Sequence, residues 1–325
     1  MSNWRLAGSA AVVIGAAWIL MLPATNTETF VRPIASVPAP APNPRASIIF
    51  GGDMMFDRSI RTAMEKHGGD YIFSCIGALL QSADLVVANL EGPITARLSK
   101  SVGSKVGREG NFTFTFPTTT APLLFRHNIR LLSIGNNHIM NFGREGLAET
   151  KQWLDKAGVL YFGEPDLAEV DRVERISLRG IPFSFINWSD WTPVGKPAAS
   201  NGAGFLNPVV EQIRKEAESG RVVVVYTHWG DEYMPPPKRV KNLARQFVDA
   251  GADLVIGSHP HIVQEDEVYA GKHIYYSLGN LVFDQYWNES VRHGLLLRVE
   301  FTPEGVESVE EIPIDNQTDR RTCAV

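Results

Sequence analysis

Thiols are scarce in this 325-residue chain: two cysteines, Cys75 and Cys323, and no CxxC spacing. That excludes a zinc–thiolate ribbon and a dithiol redox motif. Cys75 lies in an apolar, helix-like run and Cys323 near the C-terminus, so one buried thiol and one tail thiol are expected rather than a disulfide. No GxSxG elbow is present, which argues against a serine hydrolase. No GxxxxGK[ST] run is present either, which argues against ATP hydrolysis through a phosphate-binding loop. Lys and Arg are scattered and the formal charge is −5, so no basic face marks nucleic acid as a partner. Apolar residues at 44% and charged residues at 21% describe an ordinary globular protein.

Only one long apolar run occurs, the 18 uncharged residues from Leu6 to Pro23 behind Arg5. Its length suits either a membrane anchor whose N-terminus stays in the cytoplasm or a cleaved signal peptide. The Pro/Ala-rich stretch that follows reads as an extended spacer. The expected organisation is therefore an anchor or signal at 1–23, a linker at 24–45, a catalytic-type domain at 46–312 and a flexible tail at 313–325. The corresponding location is the cell membrane, single-pass with the domain outside, or a secreted or periplasmic form.

From Ala46 onward, short β-branched runs recur: SIIFGG, DLVVAN, RLLSIG, RVVVVY and DLVIGS. Uninterrupted apolar runs of this length suit strands covered on both faces. Helix candidates lie between them at 58–67, 73–82, 118–127, 143–156, 207–219 and 237–250. The alternation predicts a layered α/β fold, a mixed sheet or two packed sheets flanked by helices. Further strand is expected at 171–186, and consecutive antiparallel strands toward the C-terminus.

Histidines, carboxylates and one asparagine follow these strands: Asp53, Glu91, Asn137, His138, His228, His259 and His261. Strand ends are where an open α/β sheet gathers a site. Each has a plainer local reading: a helix N-cap for Asp53, a solvated loop acid for Glu91, ordinary turn chemistry for Asn137 and His138. His259 and His261 flank Pro260, and an extended turn there aims both rings to one side. His67, His127, His273 and His293 lack such partners and read as structural or surface residues. Imidazole, carboxylate and amide oxygen together suit Mn, Fe or Zn, and two such ions would activate water and clamp phosphoryl oxygens. Arg58 would clamp an anionic group, or is simply a surface arginine paired with a neighbour.

The ordered set GGDMMFDR, ANLEGP, GNNHIMNFG, THWGDEY, GSHPHIVQ and YSLGN resembles the CapA family of bacterial capsule-biosynthesis proteins. These are the poly-γ-glutamate synthesis accessory proteins, similar to the calcineurin-like metallophosphatase superfamily. The resemblance implies a four-layer sandwich with two mixed central sheets flanked by helices, and a membrane anchor. It implies one divalent ion on Asp53, Glu91 and His261 and a second on Glu91, Asn137, His228 and His259. His138 would protonate a leaving oxygen, with Arg58 and Glu232 near the substrate. Implied partners are the cytoplasmic membrane, an anionic polymer such as poly-γ-glutamate and other capsule-synthesis membrane subunits. Arg97, Lys100, Lys105, Arg108, Lys238, Arg239 and Lys241 are the candidate polymer contacts. Two departures stand out: Met55 replaces a metal-binding histidine, weakening the first site unless water or Asp57 completes it, and Asn141 replaces an aspartate that would orient His138. A non-catalytic polymer-binding or export role is the alternative to hydrolysis.

Overall fold

The computed structural model describes residues 43–165, 173–191 and 203–325. The chain first builds β1 (Ala46–Met54), β2 (Leu85–Leu90), β3 (Ile129–Ser133) and β4 (Leu160–Phe162), joined by helices and paired in parallel. The helices are α1 (Arg58–His67), α2 (Gly77–Gln81), α3 (Thr120–Arg126) and α4 (Gly143–Ala157). A second sheet follows, made by β5 (Val173–Leu178), β6 (Ile181–Ser189), β7 (Val222–His228), β8 (Leu254–Ser258), β9 (Asp266–Tyr269) and β10 (Lys272–Tyr275). Helices α5 (Ala203–Glu218) and α6 (Lys238–Asp249) connect its parallel strands.

The chain then returns to the first sheet through β11 (Asn280–Val282), α7 (Glu289–Arg292), β12 (His293–Thr302), β13 (Gly305–Asn316) and β14 (Thr322–Ala324). The first sheet runs β14-β13-β12-β1-β2-β3-β4, with β11 parallel to β1; the second runs β5-β6-β7-β8-β10-β9. The expected two mixed sheets flanked by helices are thus present, consistent with a metallophosphatase-like sandwich.

Three cores separate the layers. Between the sheets Phe50, Val87, Leu131, Phe183, Tyr226, Ile256 and Phe301 are fully buried. Phe183 meets Phe301 edge-on at 5.1 Å, an arrangement worth about 0.5–1.5 kcal/mol beyond its buried area. Outside the first sheet, α1, α3 and α4 contribute Ile60, Leu123, Leu124 and Leu147 to a second core. Outside the second, α6 buries Val240, Leu243, Ala244, Phe247 and Val248, the three- and four-residue spacing of one helix face. Strand β7, VVVVYTH, is buried at every position because it is covered on both sides.

Several expectations are corrected. The C-terminal strands are not one antiparallel run: β9 and β10 form a hairpin in the second sheet, β10 pairs in parallel with β8, and β12–β13 belong to the first. Residues 313–325 are not a loose tail, since β13 continues to Asn316 and β14 pairs with it antiparallel. Cys323 on β14 is bonded to Cys75, with Cα atoms 4.8 Å apart across 248 residues of sequence. Sequence offered no sign of this, because it is the return of the last strand to the sheet edge that brings the two together. Helix 73–82 shrinks to Gly77–Gln81 behind a 3₁₀ turn at Gly69–Phe73.

The membrane expectation is corrected as well. Among the described residues no helix is long and apolar enough to cross a membrane, and residues 1–23 and most of the 24–45 linker lie outside them.

Candidate metal centre

Four parallel strands deliver the site. Asp53 is the penultimate residue of β1, Glu91 directly follows β2, His228 ends β7, and His259 directly follows β8. Beside the site, neighbouring backbones within each sheet come very close. At Gly52 a Cβ would stand 1.9 Å from the Gly279 carbonyl, and at Gly257 1.9 Å from that of Tyr276. His259 and His261 adopt φ values of 97° and 56°, a region costly for non-glycine residues. Such strain persists where surrounding structure fixes it, and often marks a site.

The six expected ligands come together. Single atoms of Asp53, Glu91 and His261 lie within 4.8 Å of one another, as do atoms of Glu91, His228 and His259. Glu91 is common to both groups. Asn137 Oδ1 lies 2.9 Å from His228 Nε2, which in turn lies 3.1 Å from His259 Nδ1. Asp53 accepts hydrogen bonds from Asn89 Nδ2 at 2.7 Å and from the His259 amide at 3.0 Å, with His261 Nδ1 3.4 Å away.

The electrostatics show what this arrangement suits. Glu91 is fully buried and neither carboxylate oxygen has a hydrogen-bond partner. Burial, then the charges of Asp53 and Glu232, push its carboxyl well above the usual range, with Arg58 opposing. Burial also acts to raise Asp53, but His261, by hydrogen bond and charge, with His228 and the His259 amide, holds that carboxyl well below its ordinary value. Burial pushes His228 down to about 3 and His259 well down, so both rings are neutral. A buried carboxylate with bare oxygens beside neutral imidazoles is costly without a cation and fits one well. The residues therefore suit two divalent ions of the Mn, Fe or Zn kind.

Behind the ligands lies a layer of amides whose roles the sequence analysis did not assign. Asn89 Nδ2 bridges Asp53 and, at 3.3 Å, His228 Nδ1. Asn136 donates to Asn89 Oδ1 at 3.0 Å and accepts from the His138 and Ile139 amides. Asn280, from YSLGN, places its Oδ1 2.9 Å from His261 Nδ1. Such partners fix the ring rotation of metal-binding histidines. Their signal in the sequence was position alone, next to a ligand or at the end of a quoted motif.

Other candidates fall differently. His138 Nε2 is 4.0 Å from Glu91 Oε1, and its ring lies 4.5 Å from that of Phe114. Burial pushes it down to about 4. Arg58 is close enough for its charge to act on Glu91 and His138, but it is held by Asp284 at 2.6 Å between the rings of Phe114 and Phe283. Glu232 is exposed and outside both ligand groups, though its charge acts on Glu91.

Met55 is packed in the outer core, where its sulfur accepts from the Asp57 amide. Asp57 cannot complete the first group: its oxygens take Arg61 Nε at 3.0 Å, Ser99 Oγ at 2.7 Å and the Thr115 amide at 2.8 Å. Asn141 still orients His138, because its Oδ1 lies 3.2 Å from His138 Nδ1. Among the cations suggested for a polymer, Arg97 pairs with Glu145, Arg239 with Asp190 and Lys241 with Glu265.

The fold and this geometry define a two-sheet α/β protein with a buried cluster plausible for two metals and suited to hydrolysis. The chain belongs to the bacterial capsule synthesis protein family PGA_cap, whose profile matches residues 47–285. It is 32% identical over 286 residues to the PGA biosynthesis protein CapA of Bacillus subtilis, covering 83% of this chain and 71% of that protein. It is 28% identical to the capsule biosynthesis protein CapA of Bacillus anthracis, covering 95% and 74% respectively. A hypothetical protein from Thermus thermophilus, solved by crystallography, superposes with a TM-score of 0.50 at 14% identity, covering 83% of this chain and 99% of that one. That likeness concerns the fold alone.

Proposed function

We propose that the chain is a dinuclear metal-dependent hydrolase of phosphoesters. The observation that carries this reading is Glu91, a buried carboxylate without hydrogen-bond partners shared by two ligand groups. On this reading Asp53, Glu91 and His261 hold one ion, and Glu91, Asn137, His228 and His259 the other. Divalent ions so held supply positive charge for the phosphoryl oxygens and a water of lowered pKa.

The protein's own part is positioning and proton transfer. Asn141 Oδ1 already accepts the Phe114 amide at 2.8 Å, so it also accepts from His138 Nδ1–H, which assigns the tautomer. Nε2 is then the atom that exchanges a proton with the leaving oxygen. Burial depresses His138 to about 4, so near neutral pH its Nε2 is unprotonated and takes a proton before it can give one to the leaving oxygen. Arg58, locked by Asp284, presents fixed charge beside the substrate phosphoryl group. Three of the seven candidate polymer contacts, Arg97, Arg239 and Lys241, are paired with carboxylates, and the buried Glu91 is what favours hydrolysis over the polymer-binding alternative.

The test is metal content by inductively coupled plasma mass spectrometry together with turnover of bis-p-nitrophenyl phosphate. Wild type should hold about two equivalents of Mn, Fe or Zn. His259→Ala should lose metal and activity, whereas His138→Ala should keep metal and lose activity. One equivalent or less, with no turnover in any added metal, would sink the proposal.

A further inference from the structure

Beside the ligand groups, the loop after β7 carries an aromatic side chain in an unusual state. Tyr233 has φ 62°, in the left-handed region, yet its ring is 40% exposed and lies 6.1 Å from the His261 ring. Its backbone N–H donates to the Pro260 carbonyl at 2.9 Å. Its hydroxyl accepts from Gln285 Nε2 at 3.0 Å, Gln285 Oε1 accepts from Asn280 Nδ2 at 3.1 Å, and Asn280 Oδ1 faces His261 at 2.9 Å. The next residue is tied down too, through Gln264 Nε2 to the Met234 carbonyl at 2.6 Å. A strained backbone and a continuous hydrogen-bond chain hold this ring at the edge of the metal centre.

Trp287 meets Tyr233 at 5.7 Å and 80°, and is 64% exposed. Burying neither ring, the fold leaves an apolar corner of two aromatic faces one side chain away from His261. Asp231 and Glu232 beside it are exposed, and the Glu232 charge acts on both Tyr233 and Glu91. The corner is therefore flanked by acceptors.

We propose that Tyr233 and Trp287 form a subsite for a neutral sugar ring adjoining the phosphoryl group, making the substrate class a sugar phosphoester. This rests on the hydrolase reading above. A pyranose has an apolar face that lies on one aromatic wall, and a rim of hydroxyls that donate to carboxylates such as Glu232. An acidic rim repels a polyanion such as a γ-linked glutamate chain. A flat base is best held between parallel faces, and two rings at 80° form no such slot. The rigid setting of Tyr233 lowers the ordering cost of binding.

The test uses the full chain loaded with Mn²⁺, titrated with inorganic phosphate, glucose 1-phosphate, glycerol 1-phosphate, AMP and tetra-γ-glutamate while tryptophan fluorescence is read. In parallel, methyl glucopyranoside is tested on the metal-free chain by saturation-transfer NMR. Glucose 1-phosphate should bind about tenfold more tightly than glycerol 1-phosphate. Trp287→Ala should remove that advantage while leaving inorganic phosphate affinity unchanged; Trp287 is exposed, so its loss should not impair folding. Equal affinity of the two phosphoesters, or an advantage that survives Trp287→Ala, overturns the subsite. A Trp287-dependent preference for AMP or for tetra-γ-glutamate overturns the sugar assignment. If methyl glucopyranoside binds in a Trp287-dependent way while phosphate does not, the subsite stands and the hydrolase reading fails.

Discussion

Asn141 Oδ1 lies 3.2 Å from His138 Nδ1 and accepts from it without carrying a charge. In the resemblance drawn from the motifs this position belongs to an aspartate. Asn141→Asp should therefore raise the His138 pKa from its depressed value of about 4. A carboxylate at this distance shifts a neighbour by roughly 1–3 units. NMR titration of the His138 ring measures this directly, and an unchanged midpoint would show that Asn141 does not set the ring's protonation.

Glu91 makes metal-free stability fall as pH rises. Its folded pKa is raised well above the ordinary 4.5, so its stabilising share is complete below that value and is lost as pH climbs through the folded pKa. Metal-free Glu91→Gln should therefore be more stable than wild type at alkaline pH, and the order should reverse on adding Mn²⁺. Thermal melts at pH 8 with EDTA and with Mn²⁺ decide it. A variant less stable than wild type in both would contradict the assignment.

The histidines act in the opposite direction. His138 and His228 are held down at about 4 and about 3 from an ordinary 6.5, so their neutral burial is fully favourable above 6.5. That share is lost as pH falls toward those values, because the unfolded chain binds protons first. Metal-free protein should lose stability between pH 6.5 and about 4, and a His138→Gln, His228→Gln double variant should lose less across that interval. Urea midpoints at each pH provide the comparison.

Cys75–Cys323 pins the last strand to the 3₁₀ turn near α2. A bridge closing so long a loop is worth about 2–4 kcal/mol in typical cases. Cys75→Ser or full reduction should lower stability by about that amount, and faster amide exchange should begin at β14. Unaltered exchange at β14 in the reduced protein would show that strand pairing alone holds it.

Met55→His should not restore a ligand. Met55 is fully buried in the outer core, its sulfur engaged by the Asp57 amide. The imidazole would lose the methionine's packing and lie buried without a partner, costing about 1–3 kcal/mol. Metal stoichiometry should stay the same while the melting temperature falls; a gain in metal affinity would show that the side chain turns inward.

Local physics made much of this protein readable from its residues. The five β-branched runs, the period of α1, α4 and α6, and the placement of Asp53, Glu91, His228, His259 and His261 at strand ends all follow from backbone periodicity and the covering of both strand faces. Each of those signals is contained in a short stretch of chain. Tertiary structure alone decided the rest, because the rest depends on residues far apart in the chain. Strand order sent β9 and β10 to one sheet and β12–β14 to the other, and so joined Cys323 to Cys75. Folding packed Met55 into the outer core while Asp53 joined the ligands. Folding also left Glu91 buried without a hydrogen-bond partner and Tyr233 exposed beside His261. Those environments come from the whole chain around each residue, and no local pattern encodes them.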